Sequence, residues 1–166
     1  MRIIDSIEVF NLPHVNNHRI DLQEGDEHLI LTGLNGTGKS SILRSLSCGG
    51  NHEINIISSI QEFDIFAWDR IAITDSESLL EMFKGKPTIL VIDDMEVGFD
   101  LMQQRMLIKE ISTRYPNVQI IGSTHSPFIL AGAPKTSAYS LDNDKVYTDL
   151  EHMGIVEIAD CLFGIC

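Results

Sequence analysis

The sequence predicts an α/β fold: a mainly parallel central sheet flanked by helices, with a small antiparallel β layer at the N-terminal end. Two observations carry this. Continuous apolar runs at His28–Thr32, Thr88–Asp93 and Val118–Gly122 have the pattern of strands buried on both faces. Segments of helical spacing alternate with them, at Ser40–Leu46 and Leu101–Tyr115, and strands alternating with helices favour a parallel sheet. With 166 residues and 43% hydrophobic content, the chain is long enough for a real core and is expected to form one domain over residues 1–166.

Met1–Leu12 and Arg19–Leu22 read as strands around the turn-forming Pro13–Asn17, and Glu27–Thr32 adds a third to this N-terminal layer. Residues 51–74 are ambiguous, because the short apolar pieces Ile54–Ile57 and Arg70–Ile73 fit either edge strands or packed loops. Asp75–Lys84 has helical spacing at Leu79, Leu80 and Phe83, a candidate capping box at Ser78 and Glu81, and a stop at Gly85-Lys86-Pro87. Leu101–Tyr115 is expected to be a helix with apolar Met102, Met106, Ile108 and Ile111, stopped by Pro116.

The chemistry is concentrated where the buried runs end. Residues 33–40 read Gly-Leu-Asn-Gly-Thr-Gly-Lys-Ser, a complete G-x-x-x-x-G-K-[ST] phosphate loop between a strand and a helix. Gly36 and Gly38 let backbone N–H groups turn toward phosphate oxygens, Lys39 reaches the β- and γ-phosphates, and the Ser40 hydroxyl is placed for Mg²⁺. The expected phosphate-binding residues are Asn35, Gly36, Thr37, Gly38, Lys39, Ser40 and Ser41, and the expected ligand is a nucleoside triphosphate. Asp93 and Asp94 end the next buried run, Asp93 as the magnesium carboxylate and Asp94 as the candidate that polarises water. His125, in Ser123-Thr124-His125-Ser126-Pro127, follows the third run. Neighbouring parallel strands deliver their ends to one crevice, where this histidine can touch the γ-phosphate or the attacking water.

Composition excludes several alternatives. With 24 acidic and 12 basic residues the formal charge is −12, which argues against a broad nucleic-acid footprint on this chain alone. No apolar stretch approaches the roughly 18 residues of a membrane span, and the N-terminus lacks a signal-peptide succession, so a cytoplasmic location is expected. Cys48, Cys161 and Cys166 show no C-x-x-C spacing, and His14, His18, His28, His52 and His152 show no mutual metal spacing. Trp68 reads as a core or interface aromatic.

Gly33–Ser40, then Ile-Leu-Val-Ile-Asp-Asp-Met-Glu-Val-Gly-Phe-Asp, then Ser-Thr-His-Ser-Pro-Phe-Ile-Leu, resemble the ABC-type ATPase heads of the RecF, SMC and OLD group. The nearest likeness is to small bacterial AAA family ATPases, including those of anti-phage systems such as Septu and retrons. The resemblance runs from Ile7–Leu12 to Ile158–Gly164. It implies a P-loop NTPase fold, ATP rather than GTP as nucleotide, Mg²⁺ as cofactor, and two heads that sandwich ATP, as a homodimer or in a complex with an effector protein. It also implies that Gly98–Asp100 is an interface loop and His125 a switch histidine. Gln61 is either the glutamine that senses the γ-phosphate or a surface residue, and Phe10 or His18 either contacts adenine or simply packs.

This sequence departs from that pattern in three places. Asp94 stands where the family usually has Glu, one methylene longer, and Glu96 nearby is a poorer base by its spacing. The short interval between Lys39 and Asp93 leaves only a reduced helical subdomain and excludes the long arms of the SMC relatives. No Leu-Ser-Gly-Gly-Gln-like signature is present, Asp75-Ser76-Glu77-Ser78 being at best a remnant. Two function classes therefore stay open: a Mg²⁺-dependent ATPase acting as a nucleotide switch, for instance on a nuclease, and a non-hydrolysing ATP-binding module that stabilises a complex. A small-molecule kinase is disfavoured because no Arg-rich lid is encoded.

Overall fold

A computed structural model describes residues 1–48, 53–68, 83 and 85–163. In chain order the elements are β1 (Ile4–Val9), β2 (His18–Asp21), β3 (His28–Thr32), α1 (Lys39–Ser47), β4 (Ile54–Ser58), β5 (Asp64–Trp68), β6 (Thr88–Ile92), α2 (Leu101–Arg114), β7 (Val118–Ser123), α3 (Pro127–Ala131), β8 (Thr136–Ser140), β9 (Lys145–Tyr147), a 3₁₀ turn (Leu150–His152) and α4 (Ile155–Phe163). The segments at Arg70–Ile73 and at residues 75–82, with the expected helix and its capping box, lie outside the described residues.

Among the described residues, six strands form the central sheet in the order β5-β6-β7-β3-β8-β9. All pairs are parallel except β8 with β9. A second sheet, β2-β1-β4, is antiparallel throughout. The expected layer is therefore present with one strand exchanged: His28–Thr32 belongs to the central sheet, and the layer's third strand is β4, from the ambiguous region. β3 joins the parallel sheet because all five of its residues are buried, which requires cover on both faces.

Alternation along the central strands assigns their two faces. Leu29, Leu31, Ile89, Val91 and Ile121 pack with α1 and the antiparallel sheet. Ile30, Leu90, Ile92, Val118 and Ile120 pack with α2, α3 and α4. The face of α2 that packs here is Gln104, Leu107, Ile108 and Ile111. The methionines expected on it are turned outward, Met102 being 70% and Met106 36% exposed. The start of α2 is set by Asp100, which accepts from the Met102 and Gln103 N–H groups while the Gln103 side chain accepts from the Asp100 N–H.

Two buried polar residues tie the layers together. Gln119 on β7 is fully buried; its Oε1 accepts from the N–H groups of Ile3 and Ile4 at 3.0 and 2.7 Å, and its Nε2 donates to the Ile4 carbonyl. His28 Nδ1 accepts from the Ile120 N–H at 3.1 Å, which fixes the neutral tautomer with its proton on Nε2, directed at Ser112 Oγ 2.9 Å away. Burial is the main cause that pushes the His28 pKa down to about 4. The unfolded chain binds this proton at the ordinary 6.5, so stability is lost as pH falls from 6.5 toward about 4. The expected cost across that window is about 3 kcal/mol. His28→Gln, which keeps an acceptor but does not titrate, is expected to flatten the slope of unfolding free energy against pH by about one proton in urea denaturation.

Candidate functional site

Between β3 and α1 the chain turns through Gly33–Gly38. Gly36 and Gly38 take φ of 84° and 102°, conformations costly for other residues, and Gly38 caps α1 so that the helix starts at Lys39. Lys39 is 5% exposed and its Nζ donates to the carbonyls of Gly33 and Leu34, each at 2.8 Å. Burial holds the ammonium pKa below its ordinary value, opposed by the carboxylates of Asp142, Asp94, Asp93 and Glu96.

The neighbouring strand ends are cross-tied at the same level. The Thr124 N–H donates to the Leu31 carbonyl at 3.1 Å, and the Met95 N–H donates to the Ser123 carbonyl at 2.9 Å. Ser123 Oγ donates to Asp93 and accepts from the Asp94 N–H at 2.9 Å, so one hydroxyl fixes both carboxylate-bearing residues. Asp94 adopts φ 49°, a left-handed conformation that Asp tolerates better than most residues. Glu96 accepts from Thr124 Oγ1 at 2.5 Å and from the His125 N–H at 3.0 Å, which commits its carboxylate to positioning the His125 loop. Gln104 completes this frame: Ser126 Oγ donates to its Oε1 at 2.6 Å, and its Nε2 donates to the Phe99 carbonyl at 2.9 Å.

A cleft of about 290 Å³ opens beside this frame, lined by Pro13, His14, Val15, Asn35, Gly36, Gly38, Lys39, Ser40, Ser41, Asp94 and His125. The structure thus brings eight of the expected residues around one cavity: Asn35, Gly36, Gly38, Lys39, Ser40, Ser41, Asp94 and His125. Thr37 is not in the lining; its hydroxyl donates back to the Leu34 carbonyl at 3.0 Å. Asp93 is half-buried at the end of β6, outside the lining but among the carboxylates that act on Lys39. Its bonded oxygen is taken by Ser123. The Asp93 carboxylate and the Ser40 hydroxyl are the hard oxygen donors that suit Mg²⁺.

Other expectations fall elsewhere. Gln61 is exposed in a surface hollow with Glu62, Phe63, Asp64, Lys86 and Pro87, so it is the surface residue of the two readings. Trp68 packs against the core beside α2. Phe10 and His18 are not in the cleft lining; His18 is buried edge-on against Tyr139, with ring centroids 5.6 Å apart. The turn Pro13–Val15 is in the lining instead. Its composition marks a turn but carries no sign that it folds onto the phosphate loop.

No protein-family model and no curated protein matches the chain. Solved structures do. A chain from an ABC transporter ascribed to the metal-chelate type, in an inward-facing conformation, matches with TM-score 0.55 at 15% identity over 96% of this chain and 89% of that one. An ATP-binding cassette of an ABC transporter in its ADP conformation matches with TM-score 0.59 at 11% identity, over 99% of this chain and 96% of that one. The fold is therefore a mixed α/β fold with a mostly parallel sheet, similar to ABC ATP-binding cassettes.

At Gly38, φ +102°, a Cβ would sit 2.4 Å from Val15 Cγ2. At Gly36, φ +84°, a Cβ meets nothing within 4 Å. Gly36→Ala is expected to cost about 1 kcal/mol of backbone strain, and Gly38→Ala at least about 2 kcal/mol because Val15 must also move, measured by chemical denaturation.

Proposed function

We propose that the chain is a Mg²⁺-dependent, ATP-binding and hydrolysing ABC-type ATPase domain, spanning residues 1–166, that works as a nucleotide switch or regulatory subunit. The observation that carries this reading is the shared cleft, whose lining joins residues of the phosphate loop and the first turn of α1 with Asp94 and His125. In this reading the N–H groups of residues 36–41 and Lys39 hold the phosphates, and Lys39 exchanges its two loop carbonyls for phosphate oxygens. Ser40 and Asp93 hold Mg²⁺, which when bound neutralises charge developing on the β- and γ-phosphate oxygens. Asp94 orients and polarises the attacking water, His125 contacts the γ-phosphate, and the base lies against Pro13–Val15.

The order of motifs supports placing the chain in the RecF, SMC and OLD group, with two copies, or one copy and an effector of nuclease or DNA-metabolic type, closing on ATP. A cytoplasmic location belongs to the same proposal. Among the described residues no helix is long and apolar enough to cross a membrane. A role in anti-phage defence rests on the sequence resemblance. A second reading, a non-hydrolysing ATP-binding module, is favoured by one observation: Glu96 is already engaged by Thr124 and His125, leaving the short Asp94 as the acidic side chain in the cleft lining.

Measurement of ATP binding and turnover over a protein concentration series separates the two readings. Lys39→Ala is expected to weaken ATP binding about 100-fold or more, while Asp94→Asn keeps binding and loses turnover by about 10²- to 10⁴-fold. Specific activity that rises with protein concentration marks a site completed between subunits. Tight binding of ATP without turnover by the wild type overturns the enzymatic reading in favour of the module.

A further inference from the structure

We propose that Asp142, on the turn between β8 and β9, is a positioning residue of the phosphate loop: its hydrogen bond to Leu34 holds the loop in shape, and its charge sets how tightly the loop takes a nucleoside triphosphate. The proposal rests on the nucleotide reading above and deepens it. Asp142 Oδ2 accepts from the Leu34 N–H at 2.7 Å. The approach depends on Gly33, φ +134°, where a Cβ would stand 2.9 Å from the same oxygen. Leu34 in turn offers its carbonyl to Lys39 and to Thr37 Oγ1, so one peptide segment links Asp142 to the phosphate-loop lysine.

The turn that presents Asp142 is itself anchored. The Leu141 N–H donates to the Thr32 carbonyl at 3.1 Å, and the Asp144 N–H donates to the Ser140 carbonyl at 3.0 Å. The Asp144 carboxylate accepts the hydroxyl of buried Tyr139 and lies 3.2 Å from His18 Nδ1 on β2. Asp142 is thus carried by a fixed support rather than a free loop, which is what positioning requires. Its charge acts on the site as well: it is the foremost of the four carboxylates that favour the Lys39 ammonium. The two effects oppose each other toward a polyanion. The hydrogen bond preorganises the loop, whereas the negative charge repels the incoming phosphates.

Two substitutions separate the effects. Asp142→Asn keeps the acceptor and removes the charge; Asp142→Ala removes both. Calorimetric titration of each with MgATP at low and high salt is expected to show Asp142→Asn binding about 3- to 10-fold tighter than wild type at low salt, with the gain shrinking as salt rises. Asp142→Ala is expected to bind about 3- to 10-fold more weakly than Asp142→Asn. Without nucleotide, hydrogen exchange of the Leu34 amide is expected to be about 10-fold or more faster in Asp142→Ala and unchanged in Asp142→Asn. Asp142→Asn binding like wild type at every salt concentration overturns the role of the charge, and Leu34 exchange unchanged in Asp142→Ala overturns the hydrogen-bonded role. If wild type and Lys39→Ala bind MgATP equally, the nucleotide reading fails and the affinity role fails with it, while the exchange result still judges the hydrogen bond.

Discussion

The site depends on the parallel register of β6, β7, β3 and β8. Leu29 pairs with Ile121 and Ile92 with Gly122, which brings the ends of three strands to one level. A slip of one residue would turn Leu29 and Leu31 toward the three-helix face and Ile30 toward α1, exchanging the faces of the whole strand. Once the register is set, the loop after β3, the carboxylates after β6 and the histidine after β7 are brought to one end of the sheet, where the bond from the His125 N–H to Glu96 ties the last two together. The hydrogen bonds from Thr124 to Leu31 and from Met95 to Ser123 then close the gaps between strand ends, where ladder pairing stops and backbone groups need other partners.

Acidic side chains take distinct parts in this arrangement. In a chain of formal charge −12, several carboxylates serve as acceptors for backbone N–H groups: Asp100 for the first turn of α2, Glu96 for His125 and Asp142 for Leu34. Each satisfies a donor that a loop or helix end would otherwise leave open. Asp94 differs, since it faces the cleft. The surplus of negative charge is thus partly structural.

The Gly33–Ser40 loop with its flanking strand and helix was legible because glycines at fixed spacing between an apolar run and a helical one mark a strand–loop–helix turn. β3, β6 and β7 were legible because burial on both faces leaves nothing but apolar residues outside Gln119 and the strand termini. β4 and β5 were not: β5 mixes exposed and half-buried positions, and in β4 the apolar Ile57 falls on the exposed side, which breaks the alternation of residue types. The exposed Met102 and Met106 misled because hydrophobicity alone does not say which side of a helix meets the core, and the true face includes the polar Gln104. Gln104 and Gln119 work through hydrogen bonds to distant backbone, which no local pattern encodes. The same holds for Pro13–Val15, brought to the cleft by the pairing of β1 with β2.

The distances along the chain between these partners bear on how the molecule is made. Ile3 and Ile4 bond to a side chain 116 and 115 residues away, and Leu34 bonds to one 108 residues away. β3 lies between β7 and β8, both encoded much later. During vectorial synthesis at roughly 5–20 residues per second, the apolar β3 and the loop after it emerge several seconds ahead of every strand that pairs with them. Contacts this non-local close late and slowly. The cleft, which needs residues from before β2 and from after β3, β6 and β7 together, is therefore among the last features to mature.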